Sequence, residues 1–69
     1  MEKAKEYLEA LKLDYNQHLA SHAPFEIIYP IKKELEGAKK MYELLSNEEC
    51  YIEEDRYGEL ELYFYEKEK

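Results

Sequence analysis

The chain has 69 residues and carries 17 acidic against 10 basic side chains, giving a formal net charge of −7. Charge of this sign repels nucleic acid and anionic lipid, so the composition argues against direct binding to either and favours basic partners. One cysteine, Cys50, excludes an internal disulfide. Because the sequence also shows neither a signal peptide nor an apolar run long enough to span a membrane, we expect a cytoplasmic protein.

The length predicts one domain over residues 1–69. A domain of this size buries only about 60% of the surface of its unfolded chain and is therefore marginally stable alone. It needs well-packed helices, a tight hairpin or a second copy of itself, so a homodimer is one expectation.

The first predicted element is a helix over residues 2–21. Apolar, aromatic and histidine residues recur there at steps of four and three, which places them on one helical stripe. The stripe contains Ala4, Leu8, Leu11, Tyr15, His18 and His22. Pro24 disfavours helical backbone in the residue before it, so we expect the helix to end near His22.

Residues 25–29 are aromatic and β-branched, and a proline lies on each side of them. We interpret them as an extended connector or a third short strand. In the alternative interpretation, Pro24 opens the second helix and Pro30 kinks it. Proline inside a helix costs about 3 kcal/mol, so the first interpretation is preferred.

The second predicted helix covers residues 30–46, with Pro30 in its first turn. The same steps of four and three recur in it, at Ile31, Leu35, Ala38, Tyr42 and Leu45. The predicted fold class is therefore α+β, with two antiparallel helices packed against a C-terminal β-hairpin over residues 49–66.

The hairpin prediction rests on alternation and on one turn. Aspartate first and glycine fourth in Asp55-Arg56-Tyr57-Gly58 are typical of a type I turn. Pairing Asp55 near Glu59 then sets Ile52 against Leu62 and Cys50 against Phe64 on the inward face. The outward face would carry Tyr51, Glu53, Glu61, Tyr63 and Tyr65.

Charge is distributed unevenly along the chain. Residues 1–45 hold eight acidic and seven basic side chains, whereas residues 46–69 hold nine acidic and three basic ones. The hairpin third therefore carries a net charge of −6 out of −7. Alternate carboxylates on a strand have a spacing close to that of nucleic-acid phosphates, and interleaved tyrosines add rigid contact area.

Other chemistry finds little support in the sequence. His18 and His22 share a helix face but lack a third ligand nearby in the sequence, so we expect no metal site and no cofactor. Cys50 lies among glutamates, which would raise the pKa of its thiol, and we interpret it as a core residue. We therefore expect no catalytic residue and no enzymatic activity.

No family resemblance is identified. In physical type only, the chain is similar to the small acidic inhibitors that phages and mobile elements make against host nucleic-acid enzymes, some of which act as DNA mimics. The leading hypothesis is an inhibitor that occupies the basic nucleic-acid-binding surface of a host protein. The predicted partner-binding residues are Glu53, Glu54, Asp55, Tyr57, Glu59, Glu61 and Tyr63. The alternative is a helical adaptor or homodimerising structural module whose acidic hairpin only maintains solubility.

Overall fold

In the computed structural model, which describes residues 2–67, two helices precede a two-stranded antiparallel sheet. Helix α1 spans Glu2–Ala20 and helix α2 spans Phe25–Leu45. Strand β1 spans Glu48–Glu54 and strand β2 spans Leu60–Glu66. The α+β fold class with a C-terminal hairpin is therefore confirmed.

A specific backbone cap ends α1. His22 has a left-handed φ of 58°. The Ala23 N–H donates to the His18 carbonyl at 2.9 Å, and the His22 N–H donates to the Leu19 carbonyl at 3.1 Å. These two bonds form the Schellman arrangement that satisfies the last carbonyls of a helix. His22 therefore terminates the helix and does not extend its apolar stripe.

The prediction for residues 25–29 is wrong, because these residues form the first turns of α2. Pro24 is the N-cap in extended backbone, and its carbonyl accepts the N–H groups of Ile27 at 2.9 Å and Ile28 at 3.2 Å. The predicted start of the second helix at Pro30 is also wrong, since Pro30 lies inside it.

Packing explains why α2 tolerates Pro30. The proline lies near the N-terminus, where it removes one intrahelical hydrogen bond at a cost of about 3 kcal/mol. Ile28 and Ile31 pack against the core, and burial of such side chains contributes about 1.5–3 kcal/mol each when complete. The rings of Phe25 and Tyr29 also pack at 5.0 Å between centroids. These contacts offset the proline penalty.

The predicted hairpin register is confirmed, with Cys50 opposite Phe64 and Ile52 opposite Leu62. The Asp55 carbonyl accepts the Gly58 N–H at 3.0 Å, and Gly58 adopts a left-handed φ of 85°. A type I turn followed by a left-handed residue is a common three-residue hairpin connection, and glycine adopts that φ without strain.

The core lies between the helical pair and one face of the sheet. Helix α2 contacts β1 and helix α1 contacts β2. Residues from all four elements form the core, and those that are buried are Leu8, Tyr15, Leu35, Tyr42, Cys50, Leu60 and Leu62. The opposite face of the sheet is left exposed, and it carries the candidate site.

Of the helices in residues 2–67, neither combines the length and apolar character that a membrane crossing requires.

Candidate protein-binding face of the hairpin

Side-chain alternation separates the two faces of the hairpin. Cys50 and Leu62 point into the core, so their sequence neighbours point to the opposite side. Three cross-strand pairs make up this side, which we call the outer sheet face. Its residues are Glu49, Tyr51, Glu53, Glu61, Tyr63 and Tyr65. The face presents three carboxylates and three phenols, and it includes no basic side chain.

Tyrosines form the middle of the outer sheet face. Tyr51 lies opposite Tyr63, and its ring meets that of Tyr65 edge-on at 5.6 Å between centroids. The exposed fractions of Tyr51, Tyr63 and Tyr65 are 48%, 41% and 56%. Three large rings thus stay accessible at neighbouring positions, whereas the buried rings Tyr15 and Tyr42 lie on the helical side.

One acid of this face is bound locally. The Tyr51 hydroxyl donates to Glu49 Oε2 at 2.6 Å. That hydrogen bond raises the pKa of Tyr51 above its ordinary value, so the phenol stays a neutral donor. The bond also fixes the tilt of the Tyr51 ring and leaves the second oxygen of Glu49 free to accept from a partner.

Two acids of this face lie directly opposite each other. Glu53 pairs with Glu61 across the ladder, and both side chains are exposed. Neither forms an ion pair with another residue in the part of the chain that the structure describes. Like charges at directly opposed positions destabilise a hairpin by up to about 1 kcal/mol. The local fold therefore gains nothing from this pair.

The remaining predicted residues lie around the tip of the hairpin or on the side of the sheet that faces the helices, and not on the outer sheet face. The Asp55 carboxylate accepts the backbone N–H groups of Tyr57 at 2.8 Å and Glu59 at 3.0 Å, so it builds the turn. Tyr57 is largely exposed, and Arg56 lies 5.9 Å from its ring centroid. Glu54 lies opposite Leu60, on the side that faces the helices.

Two acids at the contact between the helices and the sheet are held by hydrogen bonds and ion pairs within the fold. Glu48 accepts a hydrogen bond from the Tyr42 hydroxyl at 2.5 Å and pairs with Lys5 at 3.0 Å. Both contacts lower the pKa of Glu48, the Tyr42 bond most. Glu43 accepts the Cys50 N–H at 2.9 Å, and this bond is the largest cause of its lowered pKa. These two carboxylates therefore help to hold the helices and the sheet together.

Three of the seven predicted partner-binding residues therefore share the outer sheet face, namely Glu53, Glu61 and Tyr63. Asp55, Tyr57 and Glu59 belong to the turn, and Glu54 lies on the other side of the sheet. The predicted site omits Tyr51 and Tyr65, although the sequence places both on the outward face, and it omits Glu49. Alternation along β1 from Glu53 and Tyr51 places Glu49 on the same face.

The groups considered for catalysis or metal binding lie elsewhere. Cys50 is fully buried, and desolvation raises the pKa of its thiol, so it lacks the thiolate that a nucleophile needs. His18 Nδ1 lies 2.8 Å from the Asp14 carbonyl oxygen, within its own helix. Within residues 2–67, no three histidine, cysteine, aspartate or glutamate side chains converge as a metal site would require.

Comparison with protein-family models, with curated proteins and with solved structures finds no match to this chain.

Proposed function

We propose that the protein binds a basic protein surface through the outer sheet face and the adjoining hairpin tip. The observation that carries this proposal is the opposed pair Glu53 and Glu61, which is exposed and has no ion-pair partner among the described residues. The pair costs the hairpin stability. A cationic partner would convert that cost into attraction, because lysine or arginine can bridge two neighbouring carboxylates.

Charge distribution supports the same proposal. Residues 46–69 carry a net charge of −6, while residues 1–45 carry only −1. The negative potential is therefore concentrated at the sheet end of the molecule. Such a field orients a basic partner before contact and can raise its association rate by 10–10³ at low salt.

The tyrosines supply the apolar contact that charge alone does not. Tyrosine is enriched at binding hot spots because it combines a rigid ring with a polar tip and few rotatable bonds. Tyr51 and Tyr63 form the middle pair of the face, and Tyr65 lies beside them, opposite Glu49. A partner docking there would bury three rings at its centre and meet carboxylates at both ends.

We further propose that the partner is a nucleic-acid-binding protein and that this chain is an inhibitor of the kind that phages and mobile elements encode. Carboxylates clustered around one hairpin end, at Glu53, Asp55, Glu59 and Glu61, present negative charge to the same lysines and arginines that bind phosphate. The acids do not form a uniform row, because Tyr51 separates Glu49 from Glu53. The carboxylates would therefore mimic nucleic acid as a local cluster of negative charge, and they would not reproduce the regular spacing of its phosphates.

Affinity capture from the host cytosol, followed by competition with duplex DNA, tests this proposal. The tagged protein should retain a basic protein, and added DNA should displace it because both ligands need the same cationic surface. A captured partner that binds DNA and this protein simultaneously would contradict the inhibitor proposal. A captured partner with no basic surface would contradict the proposal as a whole.

A second function, a helical adaptor or homodimer, is favoured by a different surface. An apolar recess of about 470 Å³ opens between the helices, and Tyr7 and Met41 contribute to its lining. Leu45, which also lines the recess, is 68% exposed. Exposed apolar groups at a groove are typical of interaction sites. If this surface is the functional one, Met41→Lys with Leu45→Lys abolishes association, whereas changes at Glu53 and Glu61 do not.

A further inference from the structure

The free edge of β1 offers backbone hydrogen-bonding groups. In the part of the chain that the structure describes, the sheet has only two strands, so β1 has a neighbour on one side. Residues of an antiparallel pair alternate between bonding across the ladder and pointing away from it. The Asp55 N–H bonds to the Glu59 carbonyl at 2.9 Å, which assigns odd-numbered residues of β1 to the ladder. Even-numbered residues therefore direct their N–H and C=O groups to the free edge.

The first half of that edge is already occupied. The Glu48 N–H donates to Ser46 Oγ at 3.2 Å, and the Cys50 N–H donates to Glu43 Oε2 at 2.9 Å. Side chains that take up edge groups in this way protect a sheet against pairing with another chain. No further strand can add alongside Glu48 and Cys50 without displacing them.

The second half of the edge is open. Within residues 2–67, no side chain hydrogen-bonds the backbone of Ile52 or Glu54. At the β2 edge of the sheet, Asn16 bonds both the N–H and the carbonyl of Leu60, at 2.8 and 3.0 Å, so that edge is occupied beside the turn. The Ile52–Glu54 segment is thus left with unpaired donors and acceptors.

A groove runs beside this open segment, between β1 and α2. It consists of two recesses that both reach Ile52. The larger, about 550 Å³, is lined by Lys33, Glu36, Lys39, Lys40, Tyr51 and Ile52. The smaller, about 240 Å³, is lined by Lys32, Glu36, Ile52, Glu54 and Leu60. An extended strand placed beside Ile52 would lie in this groove.

The groove is positive, in contrast to the chain as a whole. The lining of the two recesses contains four lysines, and its carboxylates are those of Glu36 and Glu54. Lys33 pairs with Glu36 at 3.8 Å, and Lys39 pairs with Glu43 at 3.3 Å. Lys32 and Lys40 form no ion pair with any of residues 2–67. The groove therefore keeps unneutralised lysines on its helical wall.

We propose that the free edge of β1 accepts an extended segment of a partner protein as a third strand, with acidic side chains at alternate positions. Main-chain bonds to Ile52 and Glu54 would supply affinity, as in other cases of strand addition. Alternate side chains of the added strand point to one face, and on the helical side they meet Lys32 and Lys40. This site has the opposite sign to the outer sheet face and does not depend on it.

Amide hydrogen exchange with a synthetic peptide tests the proposal. The probe is a capped peptide of about six residues, the usual length of a strand, in which glutamate alternates with valine. Added peptide should slow exchange at Ile52 and Glu54 and leave Tyr51 and Glu53 unchanged, because the latter already bond to β2. A peptide with lysine in place of glutamate should not bind. Equal binding of the two peptides, or unchanged exchange at Ile52 and Glu54, overturns the proposal.

Variants add a second test. Lys32→Glu with Lys40→Glu should weaken the glutamate peptide about tenfold or more, since two favourable charge contacts become repulsive. Lys3→Glu is the matched control for the single groove variant Lys40→Glu, because each reverses one charge and Lys3 is exposed on α1 and forms no ion pair with residues 2–67. Glu53→Lys with Glu61→Lys should not weaken the peptide, which separates this site from the outer sheet face. Loss of affinity in Lys3→Glu equal to that in Lys40→Glu contradicts the assignment.

Discussion

Asn16 couples α1 to the sheet, and its replacement should strongly destabilise the fold. Its amide nitrogen donates to the Leu60 carbonyl at 3.0 Å, and its amide oxygen accepts the Leu60 N–H at 2.8 Å. Asn16 thus takes the place of a third strand at the edge of β2. Leu60 is only 2% exposed, so water cannot readily replace Asn16.

The expected cost follows from those two bonds. A buried donor or acceptor left without a partner costs about 1–3 kcal/mol, and Asn16→Leu leaves two, so it should lower the free energy of unfolding by about 2–6 kcal/mol. The total stability of a chain this short is about 3–10 kcal/mol. Asn16→Leu should therefore remove a large share of that stability. Asn16→Asp should also destabilise it, because a carboxylate accepts from the Leu60 N–H but repels its carbonyl.

Urea denaturation followed by far-UV circular dichroism measures the change, with Gln17→Leu as the control on the exposed side of the same helix. Gln17→Leu should stay within about 0.5 kcal/mol of the parent. Hydrogen exchange at the Leu60 amide should accelerate in Asn16→Leu beyond what global unfolding explains. If Asn16→Leu matches Gln17→Leu in stability, Asn16 does not anchor the sheet and this reasoning is refuted.

Three further predictions concern the helix cap at His22, the ionised carboxylate of Glu43 and the buried thiol of Cys50. His22→Gly should raise the free energy of unfolding by about 1 kcal/mol, because glycine adopts the φ of 58° without the left-handed penalty, and an unchanged urea midpoint would contradict this. Because the pKa of Glu43 is lowered, its contribution to the free energy of unfolding is present above the ordinary glutamate value of 4.5 and is lost as the pH falls through the depressed value. The free energies of unfolding of the parent and of Glu43→Gln should therefore differ at pH 7 and converge in acid. Cys50 should react with a thiol reagent only at the rate of unfolding, because burial both hides the thiol and raises its pKa, and rapid labelling in the folded state would show that the core is open.

Much of the fold was predictable because local signals agreed with it. The spacing of Leu8, Leu11 and Tyr15 predicts α1, and the Asp55 to Gly58 turn predicts the hairpin register. In both places the apolar period matches the element, and turn chemistry fixes its end.

At residues 25–29 the sequence shows the local cost of a helix but not the tertiary contacts that offset it. Pro30 argues against a helix by about 3 kcal/mol, which is visible in sequence. The burial of Ile28 and Ile31 against the core is not. One signal was present nonetheless, since Ile28 lies three residues before Ile31 and continues the stripe of α2 upstream.

Only part of the candidate site is predicted, because the face to which a strand residue points depends on its position in the alternation and not on its charge. Glu53 and Glu54 look equivalent in sequence, yet alternation sends the first to the outer sheet face and the second toward the helices. Long-range bonds were beyond prediction. Asn16 and Leu60 are 44 residues apart, and nothing in either local sequence marks them as partners.

The affinity of Glu53→Lys with Glu61→Lys for a captured basic partner tests the central claim most directly. Both residues are exposed, and the double change replaces one opposed like-charge pair by another, so the stability of the fold should change little. The account predicts a loss of at least about tenfold and a weaker salt dependence, because two attractive contacts become repulsive. Glu6→Lys with Glu26→Lys, which changes net charge equally on exposed helical positions, should bind nearly as the parent does. Equal losses in the two variants would contradict the claim, because binding would then depend on net charge and not on the outer sheet face.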